Sequence, residues 1–286
     1  DAEQNHDRFK QAFLQQWPNR SAINSAKNNA LFNRLFAHQY DGTIRLVSSA
    51  FDGIEREDGS MSRDISAYIG ANAPSHSAVF RNKLLLTYQL IDRFGEAWIS
   101  NYANLNVSMP ENVNMVYWPN LPWGTQADSD LDVNREEWVY IANPENNPTR
   151  EPVWTGLYYD QTADEWMVSL ETPVDFNGEH LINIGHDILL NTLFDRVFND
   201  KLEGTYNFIF RNDSRIIAHP EHVDNLRERK GVLLANHTND ETLINMIELI
   251  NSQKQQKFAR GFGFIVDDQQ SDSLLAVTSI HGPDWY

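Results

Sequence analysis

At 286 residues, 41% hydrophobic and 12% aromatic, the chain carries enough apolar material for one large or two modest packed cores, which excludes a disordered polymer. Its 23 basic against 40 acidic residues give a formal charge of -17, which excludes nucleic acid and anionic lipid surfaces as partners, because both require clustered Lys and Arg. The lack of cysteine excludes disulfides, thiol nucleophiles and cysteine-ligated metals.

Over residues 7–51 the apolar side chains recur at helical spacing, first Phe9, Phe13 and Trp17, then Leu31, Phe32, Leu35, Phe36 and Tyr40. This predicts a long N-terminal helical segment broken near Pro18 or Gly42. Residues 53–62 are polar and read as a loop. Residues 75–94 read as a helix with a stripe of Leu84, Leu85, Tyr88 and Ile91, ended by Gly95. The pattern then changes to strands at 97–106 and 114–118, around a Met109-Pro110-Glu111-Asn112 turn. Residues 119–132 form a long irregular segment, of a length that loops reach when they bind something or are disordered. Trp118, Trp123 and Trp138 in or near it argue against disorder.

Three further strands follow at 153–159, 166–176 and 180–188, dense in Val, Ile, Trp and Tyr. Residues 161–165 and Asn177-Gly178 separate them, the latter a hairpin signal because both residues tolerate positive φ. Together they complete a five-stranded sheet. Residues 188–200 are an amphipathic helix with Leu189, Leu193, Phe194 and Val197 on one face, connecting to a second domain. There, 205–218 form a hairpin around Asn212-Asp213-Ser214, 241–253 a helix, and 258–267 with 273–281 a last pair of strands. Strand pair, helix and strand pair over about 80 residues is what a small single-sheet α+β domain needs.

Two strand motifs, Trp154-x-x-x-Tyr158-x-Asp160 and Gly185-His186-Asp187-Ile188, resemble those of the double Cache (PAS-like) extracellular sensor domains of bacterial transmembrane receptors. Residues 208–220 are similar to that family's second-domain hairpin and 281–286 to its closing strand. The resemblance implies an α+β fold with a long N-terminal helix and two tandem PAS-like domains, each an antiparallel sheet of about five strands flanked by helices. The boundaries are then a helical stalk at 1–60, a membrane-distal ligand-binding domain at 61–190, and a connecting helix with a membrane-proximal domain at 191–286. It implies a periplasmic or extracytoplasmic sensor that binds a small molecule in the distal domain and signals to a cytoplasmic output. A histidine kinase comes first, with a diguanylate cyclase or a chemoreceptor module next. The receptor would be a homodimer, attached to the inner membrane through flanking segments, and the abrupt termini read as those of an excised fragment. The fragment itself is expected to be no enzyme and to carry no cofactor or metal.

The family pocket implies Arg135, Trp138 and Tyr140 from the loop, with Trp154, Tyr158, Asp160 and Asp187 from the strands. An Arg fork and a tyrosyl hydroxyl hold a carboxylate, and an Asp pairs with an ammonium. The loop departs from the amino-acid-binding pattern by an extra residue between Arg135 and Trp138 and by the lack of a Tyr directly after the Trp. The ligand class stays open among amino acid, amine and organic acid.

Plainer roles stand beside these. Trp138 and Trp154 can be core aromatics, Arg135 can pair with Glu136 or Glu137 on the surface, and Asp187 can cap the connecting helix. His219 and His222 are three apart with no third ligand nearby, and His180 and His186 share a strand face as neutral histidines. An alternative function is a carbohydrate-active enzyme or carbohydrate-binding protein using the acidic and Trp-rich segment 118–166, with carboxylates from Asp128, Asp130, Asp132, Glu136 and Glu137.

Overall fold

The computed structural model describes residues 2–56, 58–100, 102–199, 201–258, 263–280 and 285–286. The chain divides into two compact units: Asp1–Thr155, Asp160–Glu165 and Ser169–Ile188 form the first, and Gly156–Tyr159, Trp166–Val168 and Leu189–Tyr286 the second. None of the described helices is long and apolar enough to cross a membrane.

The N-terminal helix α1 (Ala2–Arg20) runs past Pro18 and buries Ala2, His6, Phe9, Phe13 and Trp17, a stripe at three- and four-residue spacing. Ser25 starts α2 (Ala26–Leu35) by accepting the Asn28 amide on its hydroxyl at 3.1 Å. The helical expectation for 7–51 fails beyond that point. Residues Phe36–His38 (β1) and Ile44–Leu46 (β2) are paired strands, and only Ser48–Asp52 (α3) returns to helix. Three-residue strands carry too little pattern to be read from sequence, and their geometry is fixed by partners: Ile44 lies opposite Ile69 of β5 (Ile65–Ile69). A short ribbon, β3 (Ile54–Glu55) with β4 (Met61–Ser62), precedes β5.

Helix α4 (Ala78–Trp98) is capped by Ser77 and continues through Gly95, which was expected to end it. A Cβ at 95 would stand 2.3 Å from the Tyr117 ring, so this glycine allows close packing of helix on sheet. Strands β6 (Asn104–Met109) and β7 (Val113–Tyr117) form the expected hairpin, with Asn112 at positive φ in the turn. The long segment that follows holds two single-turn helices, α5 (Trp123–Gln126) and α6 (Glu137–Tyr140). Next come β8 (Val153–Trp154), β9 (Tyr158–Asp160), β10 (Glu165–Phe176) and β11 (Glu179–Leu189). Asn177 and Gly178, both at positive φ, make the β10–β11 turn.

The resulting antiparallel sheet has nine strands rather than five, in the order β1-β2-β5-β7-β6-β11-β10-β8, with β9 also on β10. Period-two alternation gives it two different faces. On one, Ile65, Ala67, Leu105, Val107, Met115 and Ile184 pack with Phe9, Phe13, Phe32 and Leu84 of α1, α2 and α4 into the main hydrophobic core. Residues 118–152 run over the other.

In the second unit, α7 (Leu190–Asn199) precedes the pair β12 (Ile209–Phe210) and β13 (Ile216–Ala218), then α8 (Val223–Glu228), α9 (Glu241–Phe258) and the pair β14 (Gly263–Asp268) and β15 (Ser273–Thr278). The two pairs are separate sheets, linked through Trp285, which bridges both Arg211 and Ile280. Residues 281–284 of the closing motif lie outside the described residues.

Candidate ligand-binding face

The sheet face away from the helices is polar and buried. Strand β7 contributes Asn114, β6 contributes Asn104, Asn106 and Ser108, β11 contributes Asn183 and Asp187, and β10 contributes Ser169 and Glu171; all are buried. Cross-strand register makes them contiguous: Asn114 lies opposite Ser108 and Ser108 opposite Asn183, Asn106 lies opposite Gly185, and Asn104 opposite Asp187. Buried polar groups in a folded chain are nearly always hydrogen-bonded. Here Oδ1 of Asn106, Asn114 and Asn183 and both carboxylate oxygens of Glu171 have no hydrogen-bond partner among the described residues.

Clamps at both ends hold the covering segment down. At the first, Arg45 on β2 donates to the carbonyls of Gly124 (2.6 Å) and Ala127 (2.8 Å), and Ser66 accepts the Gly124 amide at 2.9 Å. Asn112 donates to the Leu131 carbonyl and accepts the Val133 amide. At the second, Arg150 forms a fork on Asp175 (2.6 and 2.8 Å) and donates to the Ala142 carbonyl. Between the clamps Trp123 and Trp138 meet edge to face, ring centroids 6.0 Å apart. The Val139 carbonyl lies 3.5 Å from Asn183 Nδ2, which places this part of the segment over β11.

Asp187 accepts from Asn104 Nδ2 at 2.6 Å and from the Ser169 hydroxyl. Burial nevertheless pushes its carboxyl up to about 6, because two neutral donors only partly replace water. Burial also holds the Glu171 carboxyl well above the carboxylate range, and the nearby Asp187 adds to this. Gly185 lies between them: a Cβ there would stand 2.4 Å from Asn106 Oδ1 and 2.6 Å from Glu171 Oε1. Only glycine fits there, because the Asn106 and Glu171 side chains fill the space that a Cβ would take.

One residue before Asp187, on the other face, His186 donates from Nδ1 to the Asn104 carbonyl at 2.9 Å. Its ring is 4.8 Å from that of His6 on α1, whose Nδ1 bonds the Thr172 hydroxyl at 2.7 Å. Burial lowers both imidazoles, His186 to about 4, so both are neutral. The polar face and α1 thus share a short stretch of β11.

Of the seven residues expected at the site, Trp138, Asp160 and Asp187 belong to this covered face or its roof. Asp160 accepts the Trp123 indole N–H at 2.9 Å and the amides of Thr162 and Ala163, so it fixes the roof's indole and the following turn. Arg135 is 84% exposed in its side chain and pairs with Asp132 at 3.2 Å, not with Glu136 or Glu137. Tyr140 is exposed. Trp154 lies opposite Leu170 while Val153 lies opposite Glu171, so alternation sends Trp154 to the side away from Glu171. Tyr158 is half-buried and falls in the second unit. The sequence reading missed Glu171, Asn106, Asn114, Asn183 and Trp123. Polar alternation at 104, 106 and 108, and again at 183, 185 and 187, was the signal available. In the acidic segment Asp128 and Asp130 are exposed. In the second unit His222 Nε2 lies 3.2 Å from Asp240, and His219 packs on His222 with ring centroids 4.6 Å apart. No group of three or more metal-ligating side chains occurs among the described residues.

No family model and no curated protein matches the chain. Solved structures do. One is the ligand-binding domain of the Pseudomonas aeruginosa amino acid chemoreceptor PctB with L-Gln, at 13% identity over 99% of this chain and 86% of that one, TM-score 0.46. The likeness is to receptor sensor domains. The same chemoreceptor domain with L-Arg matches at 18% identity over 47% of this chain and 53% of that one, TM-score 0.40. Another is the extracellular domain of mmHK1S-Z3, a protein assigned as a histidine kinase, at 17% identity over 68% and 74%, TM-score 0.47. This chain spans little more than half of the PctB domain in its L-Arg form, and 59% of a Pseudomonas fluorescens chemoreceptor domain with L-valine.

Proposed function

We propose that this chain is the extracytoplasmic sensor region of a transmembrane receptor, and that it binds a small molecule on the polar sheet face beneath residues 118–152. One observation supports this most: a row of buried polar side chains with unpartnered oxygens lies under an aromatic roof clamped at both ends. Leaving such groups unpaired costs about 1–3 kcal/mol each, which a ligand that supplies partners would recover. Of the residues expected from the sequence, Asp187 and Trp138 are the strand and roof contacts and Asp160 positions the roof.

The signal would leave through β11. A ligand at Asp187 shifts the strand, His186 on its other face moves against His6, and α1 changes between two arrangements. The output lies elsewhere in the receptor, a histidine kinase before a diguanylate cyclase or chemoreceptor module, and the receptor works as a homodimer. Residues 1–60, 61–190 and 191–286 are proposed as stalk, distal and proximal domains. A thermal-shift screen over amino acids, amines, organic acids and sugars tests the reading. A hit at 100 times its Kd stabilises by about 2.7 kcal/mol. Its binding should be lost in Trp138→Ala and Asp187→Ala; a hit that both variants bind unchanged places the site elsewhere.

A further inference from the structure

Arg150 ties the end of the covering segment to the β10–β11 hairpin. Asp175 and His180 stand on the two strands of that hairpin, and with Arg150 they make a triangle: Arg150 Nη2 is 2.8 Å from Asp175 Oδ1, while His180 Nδ1 is 2.9 Å from that oxygen and 2.9 Å from Nη2. The carbonyls of Ala142 and Asn147, which also accept from Arg150, lie inside the covering segment itself. Among the described residues, the guanidinium therefore hydrogen-bonds to the sheet only through Asp175 and His180.

One imidazole nitrogen cannot serve both neighbours. A neutral His180 offers Nδ1 as an acceptor to Arg150 or, in its other tautomer, as a donor to Asp175; a protonated one can only donate, and so turns an N–H towards the guanidinium. The charges around it are already matched. Asp175 on β10 takes Arg150, and Glu111 in the β6–β7 turn takes Lys83 of α4, whose Nζ also lies 3.2 Å from the Leu181 carbonyl, next to His180. Glu179, the residue before it, is exposed and by alternation on the other side of the strand. A proton on His180 adds a third cation to two carboxylates.

We propose that His180 is an acid-operated latch on the cover of the polar face: when protonated it takes Asp175 as its own ion partner, displaces Arg150, and releases residues 141–152. The pair that forms lies within one hairpin, so the partner that leaves is the one carried by the cover. Burial lowers the His180 imidazole, the bond to Asp175 works against this, and the charges of Arg150 and Lys83 lower it further. The cover is thus shut while His180 is neutral. Taking Arg150 away removes one of the lowering causes, so the released state binds the proton more tightly, and closure is lost as pH falls below the ordinary histidine value of 6.5. That the latch governs ligand entry rests on the polar face being the sensor site; the latch itself does not.

Amide hydrogen exchange of the whole chain, with protection corrected for the intrinsic pH dependence of exchange, tests the latch without a ligand. Between pH 7.5 and pH 5 the amides of 141–152 should lose protection about tenfold while those of β6 and β7 keep theirs. His180→Gln, which offers Arg150 an acceptor and takes up no proton, should hold the cover shut at both pH values. His180→Lys, a fixed cation, should leave it loose at pH 7.5 as well. In Arg150→Ala the NMR titration of His180 should move up. Acid loosening that persists in His180→Gln, a wild-type cover indifferent to pH, a shut cover in His180→Lys, or a His180 titration unmoved by Arg150→Ala overturns the latch. A ligand screen without hits overturns the sensor reading and leaves the exchange results standing, so the two failures are told apart.

Discussion

Replacing Asp187 by Asn is expected to stabilise the unliganded chain at neutral pH while weakening ligand binding. Burial raises the Asp187 carboxyl in the folded chain from 3.8 to about 6. The folded state therefore holds a proton that the unfolded chain has released between those values. A raised folded pKa contributes stability that is complete below the unfolded value and is lost as pH climbs through the folded one. At about 1.36 kcal/mol per tenfold, the ionised group at pH 7 costs the fold about 3 kcal/mol relative to its protonated form. Asparagine keeps the shape and one acceptor for Asn104 or Ser169 and never ionises. Urea unfolding of both proteins between pH 4 and 8 reads the effect. The variant should be no more stable than wild type at pH 4 and should gain by up to about 3 kcal/mol at pH 7.5, the wild-type curve falling more steeply with pH than the variant's. Parallel curves across that range would refute the placement of an ionisable, desolvated carboxyl at this point of β11. A gain in stability joined to a loss of affinity is the pattern of a binding site whose strain is relieved by its ligand.

Three other substitutions probe the packing around the face. Gly185→Ala puts a methyl within 2.4 to 2.6 Å of Asn106 and Glu171; it should cost about 1–3 kcal/mol by urea unfolding and abolish ligand-induced thermal shifts, and a neutral result would show that those side chains yield easily. Gly95→Ala improves helix propensity by about 1 kcal/mol but drives a methyl into the Tyr117 ring, so α4 should lose stability on balance, and a raised urea midpoint would show that the contact yields easily. Arg150→Ala removes the fork on Asp175 and the bond to the Ala142 carbonyl; residues 141–152 should exchange amide hydrogens faster. Because that guanidinium is the main reason the Asp175 carboxyl titrates low, its NMR titration should move up in the variant.

How much could be read in advance followed how local each cause was. The Asn177-Gly178 hairpin, α4 and the amphipathic α1 were legible because their signals lie within a few residues: two positions that tolerate positive φ in the first, an apolar stripe in each helix. Strands β1, β2 and β5 were not, because residues such as Phe36–His38 carry no periodicity of their own and become strands only when Ile44 meets Ile69. Gly95 reads as a helix stop until Tyr117 is seen against it. Asp187 was legible from its strand motif, whereas Glu171, on an equally ordinary strand, was not.

The sequence by itself determined an acidic, cysteine-free α+β chain with a helical start, hairpins in a stated order, and alternating polar residues at 104–108 and 183–187. Such alternation reads as the wet side of a half-buried sheet. Only the tertiary structure decided that this side is dry, because Arg45, Ser66, Asn112 and Arg150, distant from one another in the chain, fasten residues 118–152 across it. Burial is a property of what lies on top of a strand, and that cover is specified by side chains on other strands.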